Sequence, residues 1–235
     1  MAEPVHIATA HNLLGCVRAQ TDTIGVAVSF GKDSLATLDL CCRIFPRVEG
    51  YYLYRVAGLR IVEEWRKAVA DRWGVDVRPY PHFDLSRCYR FAVLAPHREG
   101  FEKTPKINMA DIEQKFRADS GVKWIAYGWR RNDSFSRALI MKKCAGLDPS
   151  AGRVFPLRAF SRAHVLAYLK AWRIPRPDGL GREEQGGLDF HPEALAFLRD
   201  NYPDDWAKWQ RDFPFSALQL NRRVPAEAKA VVNGK

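Results

Sequence analysis

Apolar residues fall into short continuous runs and helical stripes that alternate along most of the chain. Ile24, Val26, Ala27 and Val28 form a nearly unbroken run, as expected of a strand buried on both faces. Leu35, Leu38, Cys42 and Phe45 then recur on one helical side, with Pro46 as a stop. "GYYLYRV", residues 50–56, is aromatic and branched enough for a second strand. Ile61, Val62, Trp65, Val69 and Trp73 share the next helical stripe, and Gly74 stands where a helix C-terminus favours glycine. "VDVRPY", residues 75–80, predicts a third strand.

Residues 81–106 hold scattered aromatics with Pro96 and Pro105, and predict an irregular excursion containing a short helix. Periodicity returns in "MADIEQKFRADSG", a helix with Met109, Ile112 and Phe116 inward. "VKWIAYG" predicts a strand ending at Gly128, and "DSFSRALIMKKCAG" a helix closed by Gly146. After "GRVFPL", Ser161 is a natural N-cap for a helix with Val165, Leu166, Leu169 and Trp172 on its stripe, ended by Pro175 and Pro177. A mobile loop is expected over 179–187, and two aromatic-rich helices in "HPEALAFLRDNY" and "DDWAKWQRDF". Alternating strands and helices predict an α/β fold, a parallel sheet with helices on both faces. No repeat or low-complexity linker divides the chain. The expected organisation is an α/β nucleotide-binding domain over 1–178, with a loop and helical C-terminal extension over 179–235 packed on it.

Hydrophobic residues make up 47% of the 235, enough for a sizeable core. No apolar run approaches the roughly 20 residues that span a bilayer. "MAEPVHIATAHNLLG" lacks the basic and apolar regions of a secretory signal, so a soluble, cytoplasmic protein without a membrane partner is expected. The net charge of +10 changes the picture more, because it admits polyanions as partners. The five cysteines are odd in number and form no C-x-x-C pair, so neither a disulfide framework nor a zinc site is suggested. Cys41 and Cys42 read as core thiols on a helix. His82, His97, His164 and His191 lack metal-ligand spacing and read as surface or helix-start residues.

The stretch with most chemistry is "SFGKDS", between the first strand and its helix. A helix N-terminus leaves about four backbone N–H groups unpaired and carries positive potential. Gly31 lets backbone approach an anion, Ser29 and Ser34 add hydroxyls, and Lys32 adds a mobile charge. In open parallel sheets ligands bind at the carboxyl ends of the strands, where this loop belongs. It is not a Walker A loop, whose spacing is absent. Asp33, an acid beside a would-be phosphate, admits three roles: capping the helix, orienting Lys32, or helping to hold Mg²⁺. An ordinary turn capped by Ser29 or Asp33 is the alternative.

"SFGKDS" resembles the phosphate-loop signature of the PP-loop ATP pyrophosphatases, particularly their 3′-phosphoadenosine-5′-phosphosulfate (PAPS) reductase-like branch. "YGWRRNDSFSRA", residues 127–138, is similar to that branch's G-x-R-x-x-[DE]-S-x-x-R segment. "VFPLRAFSRAHVLAYLKAWRIPRP" resembles its P-[LI]-x-x-W helix entry and the prolines behind it. The resemblance implies an adenine-nucleotide α-hydrolase-like (HUP-type) fold. It also implies phosphate or nucleotide contacts from Ser29, Phe30, Gly31, Lys32, Asp33 and Ser34, and from Gly128, Arg130, Arg131, Asp133, Ser134 and Arg137. Lys32, Arg130 and Arg131 are the implied catalytic charges. Guanidinium forks suit phosphate or sulfate oxygens, and cations near a helix N-terminus oppose the macrodipole and need another cause. For Arg137, a plain pair with Asp133 is equally open.

Three departures shape the function. PAPS reductases carry a nucleophilic cysteine in a C-terminal E-C-G-[IL]-H motif, whereas no cysteine follows Cys144 here. Related reductases with an iron–sulfur cluster need a distal C-x-x-C, which is also missing, so no cluster is expected. "YLYRVAG" lacks the Asp-Thr-Gly that relatives often place after strand two, leaving Tyr54 or Arg55 as candidates to stack on a base, and Phe160 stands near the usual tryptophan of the helix entry. The leading expectation is an ATP α–β-cleaving enzyme with ATP or a related adenine nucleotide, with or without Mg²⁺. Its acceptor would be a nucleic acid, as for relatives that phosphorothioate DNA, or a small metabolite. A non-catalytic nucleotide-binding partner protein and a sulfonucleotide reductase are the alternatives, and a homo-oligomer is open. Trp65, Trp73 and Trp172 are expected in the core rather than on a nucleic-acid surface.

Overall fold

The computed structural model describes residues 3–175 and 188–220. Its strands are β1 (Thr23–Ala27), β2 (Arg47–Tyr54), β3 (Val77–Pro81), β4 (Ile125–Ala126), β5 (Leu147–Asp148) and β6 (Arg153–Val154), in the sheet order β3-β2-β1-β4-β6-β5. All neighbours run parallel except β5 and β6. Chain order reverses between β1 and β4, because β2 and β3 build outward on one side of β1 and β4 returns on the other. Such a reversal parts the loops above it and opens a crevice at the carboxyl ends of the strands.

Period-two alternation along β2 shows how both faces are covered. Tyr51 enters a cluster with Phe116, Ile125 and Met141, while Tyr52 enters the larger cluster with Val26, Leu38 and Leu169. The first face carries α5 (Met109–Ser120) and α6 (Phe135–Cys144). The second carries α2 (Lys32–Ile44), α3 (Arg60–Trp73) and α7 (Arg162–Ala171). The expected α/β fold is present, with Gly74 left-handed at φ 68° after α3 and Ser161 capping α7.

Several boundaries differ for physical reasons. A first helix, α1 (Val5–Arg18), was not anticipated; Ala10, Leu14 and Val17 on one side bury it against the second face. β2 starts at Arg47, where the chain is already paired with Thr23. β4 has two ladder residues rather than seven, since its neighbour β6 runs only from Arg153 to Val154 before Pro156, which has no N–H to donate. The β5–β6 hairpin was missed, although Asp148 accepts from Ser150 Oγ at 2.6 Å and Ala151 N at 3.2 Å in a polar turn. In 81–106 a short helix, α4 (Asp84–Arg90), does form. Ala145 (φ 50°) ends α6, one residue before Gly146.

Some side chains expected in the core lie elsewhere. Trp172 is 47% exposed, with the Arg43 guanidinium 3.6 Å over its ring. Trp65 and Trp73 are half-buried against the core, and Met109 is half-buried rather than inward. Cys41 is buried, in line with its core reading, and Cys42 packs beside it.

The C-terminal stretch adds α8 (Pro192–Asn201), α9 (Pro203–Asp212) and α10 (Ala217–Leu220), whose Leu195, Leu198 and Trp209 join the second-face core. Asp205, 1% exposed, accepts from Arg60 N at 2.8 Å and Ile61 N at 2.9 Å. It supplies from α9 the cap that Leu59 cannot give α3. The loop expected over 179–187, and Pro177, lie outside the described residues.

Candidate functional site

The chain leaves β1 through Val28, whose N–H donates to Tyr51 O at 2.7 Å. Phe30 then takes φ 59°, a left-handed conformation that costs a phenylalanine about 1–3 kcal/mol. Its ring compensates by burial against Tyr52 and Trp65, at centroid distances of 5.6 and 5.7 Å. The bend turns the strand straight into α2 and makes Gly31 the N-cap. Neither Ser29 nor Asp33 holds the cap position, since Ser29 lies two residues before Gly31 and Asp33 is already within the first turn of α2. Ser34 Oγ donates back to Gly31 O at 2.9 Å, and Ser29 Oγ to Ser34 Oγ at 3.3 Å. The first-turn amides keep the positive end of α2 at the crevice.

The second segment meets this loop edge to edge. Gly128, just past β4, lies so close that a Cβ there would stand 2.8 Å from both C and O of Asp33 and 3.0 Å from Ser34 N. Only glycine leaves room between two stretches of backbone. The approach lets Arg130, 12% exposed, place Nε 3.1 Å from Asp33 and a terminal nitrogen 2.7 Å from Asp133. Asp33 also lies 3.0 Å from Lys32 Nζ, and Asp133 lies 2.8 Å from Arg137 and accepts from Arg130 N at 2.9 Å. Five charged groups thus form one chain joining the two loops, Lys32–Asp33–Arg130–Asp133–Arg137. Asp33 orients Lys32 and also ties Arg130 to the first loop.

A cleft of about 440 Å³ opens over this junction. Ser29, Asp33, Ser34, Gly128 and Arg137 give it a polar lining, with Arg137 5.0 Å over the Trp129 ring. Phe30, Tyr52, Val62 and Trp65 give it an aromatic and apolar one. Arg55 and His82 line it as well, with an Arg55 terminal nitrogen 3.2 Å from His82 Nε2. Burial, followed by the Arg55 charge, pushes the His82 pKa down to about 4, so the ring is neutral at pH 7, with Nε2 facing Arg55 and Nδ1 lying 3.1 Å from the Asp84 N–H. His82 is thus a half-buried cleft residue that also stands at a helix start, its Nδ1 3.1 Å from Asp84 N at the beginning of α4; His191 and His164 stand at helix starts too.

The predicted residues separate cleanly. Ser29, Phe30, Asp33, Ser34, Gly128 and Arg137 line the cleft, with Gly31, Lys32, Arg130 and Asp133 directly behind them. Ser134 caps α6, its Oγ accepting from Arg137 N at 3.3 Å. Arg131 is the exception: it is exposed and borders a separate shallow hollow with Thr9 and Arg158. Trp129 and Trp209 line the cleft without having been singled out, and His82 lines it without having been given a role there. No cysteine among the described residues lines it.

The side chains do not fit a resident Mg²⁺ at Asp33. Its carboxylate is already shared by an ammonium and a guanidinium, and no group of three or more His, Cys, Asp or Glu among the described residues is placed to hold a metal. No helix among them is long and apolar enough to cross a membrane.

A parallel α/β sheet with an open helix N-terminus at its switch point, and an arginine loop docked on it, defines the PP-loop class of nucleotide-binding folds. The family model of the phosphoadenosine phosphosulfate reductase domain matches residues 23–178, more than half of the chain, and the chain belongs to that family. Among solved structures it is similar to the PAPS reductase from Candida auris in a phosphate complex, at 13% identity over 72% of this chain and 82% of that one, with a TM-score of 0.49. It is also similar to the NH3-dependent NAD synthetase from Campylobacter jejuni, at 11% identity over 99% and 97% of the two chains, with a TM-score of 0.47. No curated protein sequence matches it.

Proposed function

We propose that the cleft binds ATP or a related adenine nucleotide and that the protein is an ATP α–β-cleaving enzyme of this family. The observation that carries this reading is the contact of the two loops at Gly128 and Asp33, which gathers the α2 amides, Lys32 and Arg130 beside one cleft. The phosphates lie on the α2 N-terminus and the polar lining, and the base on the aromatic lining beside Tyr52 and Trp65. An anionic oxygen of the acceptor attacks the α-phosphorus, an adenylate forms, and the bond to the β-phosphate breaks with loss of pyrophosphate. Charge growing on the phosphate oxygens meets donors already fixed in place. Sulfonucleotide reduction gains no support, because no described thiol faces the cleft and the Cys41 and Cys42 thiols are pushed up by burial, Cys42 to about 12.

Titration with ATP, AMP and PAPS tests the binding half, and ATP–pyrophosphate exchange the catalytic half. Lys32→Ala is expected to weaken ATP binding at least tenfold, and unchanged affinity would remove the loop from the site. A binding-only partner protein is the second reading, favoured by the two carboxylates that already occupy Arg130. It predicts tight nucleotide binding with no exchange and no AMP release.

A further inference from the structure

α6 is built the wrong way round for a helix that merely covers a sheet. Among its residues Met141 is the one fully buried, while Phe135 is 86% exposed and Leu139 58% exposed. At 3.6 residues per turn, Phe135, Leu139, Lys142 and Lys143 fall on one outward face. Arg131 precedes this face, and Arg158 lies across the hollow from Arg131, its guanidinium donating to Ala145 O at the other end of α6.

The charges here differ from those elsewhere on the chain. Along α3, Arg60, Arg66 and Lys67 each reach a carboxylate within 3 Å. Among the described residues Arg131, Lys142, Lys143 and Arg158 have no carboxylate within ion-pair distance. The nearest acid in sequence to Arg131, Asp133, is already paired with Arg130 and Arg137. α6 itself contains no acidic residue. Four cations without a carboxylate partner, spread along a helix that also exposes an aromatic and that carries Arg137, a cleft residue lying over Trp129, match the requirements of a flexible polyanion that carries planar groups. A second copy of the chain would set like charges face to face.

We propose that the outer face of α6, with Arg131 and Arg158, is a docking surface for single-stranded nucleic acid. Phosphates are neutralised by the four cations, and a base lies on Phe135. A strand held there passes Trp129 and Arg137 of the cleft, so it is the class of acceptor the cleft would act on. That last step rests on the proposed adenylating function, whereas the docking itself does not.

Fluorescence anisotropy with a labelled 20-nucleotide oligothymidylate tests the surface, with nucleotide affinity measured in parallel on the same full chain. Four neutralised phosphates predict a slope of about −2.8 in log K against log salt. Lys142→Gln with Lys143→Gln is expected to flatten that slope by about 1.4, and Phe135→Ala to weaken binding roughly five- to hundredfold with the slope kept. Both variants should bind ATP as the parent does. If ATP binding fails in the parent while the oligonucleotide results hold, only the proposed function falls. No binding at 50 mM salt overturns the surface proposal, as does binding indifferent to both variants. Polyglutamate binding as tightly as the oligonucleotide, or a dimer in sedimentation that Leu139→Ser dissolves, also overturns it.

Discussion

Gly128→Ala puts a single methyl group into the seam on which the site depends. The new Cβ would meet backbone atoms of Asp33 at 2.8 Å, and an ordinary contact begins near 3.4 Å, so the loops must part by about 0.6 Å. Neither neighbour can swing aside, because both are backbone, one of them in the first turn of α2. Forcing a methyl into a packed seam costs about 1–3 kcal/mol. For a chain of this size each kcal/mol lowers Tm by about 2–4 °C, so a drop of about 2–12 °C is expected. The same opening stretches the 3.1 Å Arg130–Asp33 contact and pulls the arginine from the α2 amides. Under the proposed function this costs the phosphates one charge-assisted hydrogen bond from Arg130, worth about 1.5–3 kcal/mol, and should weaken ATP binding by about ten- to hundredfold. Differential scanning calorimetry gives the first quantity, and isothermal titration well below Tm the second. Gly15→Ala is the control, since its Cβ meets nothing within 4 Å inside a helix, and it should raise Tm slightly. If Gly128→Ala matches the parent in both Tm and affinity, the loops do not act as one site.

Three further perturbations test the scaffold around the cleft. Asp205→Ala uncaps α3 from a distance and leaves two amides without their acceptor, at about 1.5–3 kcal/mol, readable as a lower urea midpoint. Glu113→Ala removes the buried acceptor shared by Arg117, Arg153 and Tyr127, stranding charge beneath the sheet at about 3–5 kcal/mol. His82, with its folded pKa near 4 against 6.5 when free, binds protons more readily unfolded. Its contribution is therefore complete above pH 6.5 and is lost as pH falls from 6.5 towards 4, by up to about 3 kcal/mol. His82→Gln should flatten that part of the stability–pH curve, and an unchanged curve would mean the ring is not held neutral.

The sheet's central strands and the turn from β1 into α2 were legible because each rests on local signals. A continuous apolar run, a glycine and a helical stripe fall within Thr23–Leu40, and no distant residue is needed to interpret them. The arginine segment was legible as chemistry but not as geometry. Adjacent arginines at 130 and 131 look equivalent in sequence, yet the seam at Gly128 turns one onto Asp33 and leaves the other outside. What stayed hidden was non-local: the α3 cap from Asp205, the aromatic wall with Trp209, and the His82–Arg55 bond join residues tens of positions apart. α1 is a different failure, since Ala10, Leu14 and Val17 do have helical spacing; that segment was weighed only as a targeting signal.

Arg55 shows how these hidden contacts bear on chemistry. Relatives were expected to place an acid after strand two, and this chain places a guanidinium there, bonded to a neutral histidine. An acid at that position would accept from ribose hydroxyls, whereas Arg55 can only donate or stack. Whatever lies against it must therefore offer acceptors or a π-face. Arg55→Asp should accordingly leave affinity for inorganic pyrophosphate unchanged, because the proposed orientation gives the phosphates to the α2 amides and not to Arg55, while shifting the ratio of ATP to pyrophosphate affinity. Equal losses for both ligands would place Arg55 with the phosphate-binding groups and reverse the assigned orientation of the nucleotide in the cleft.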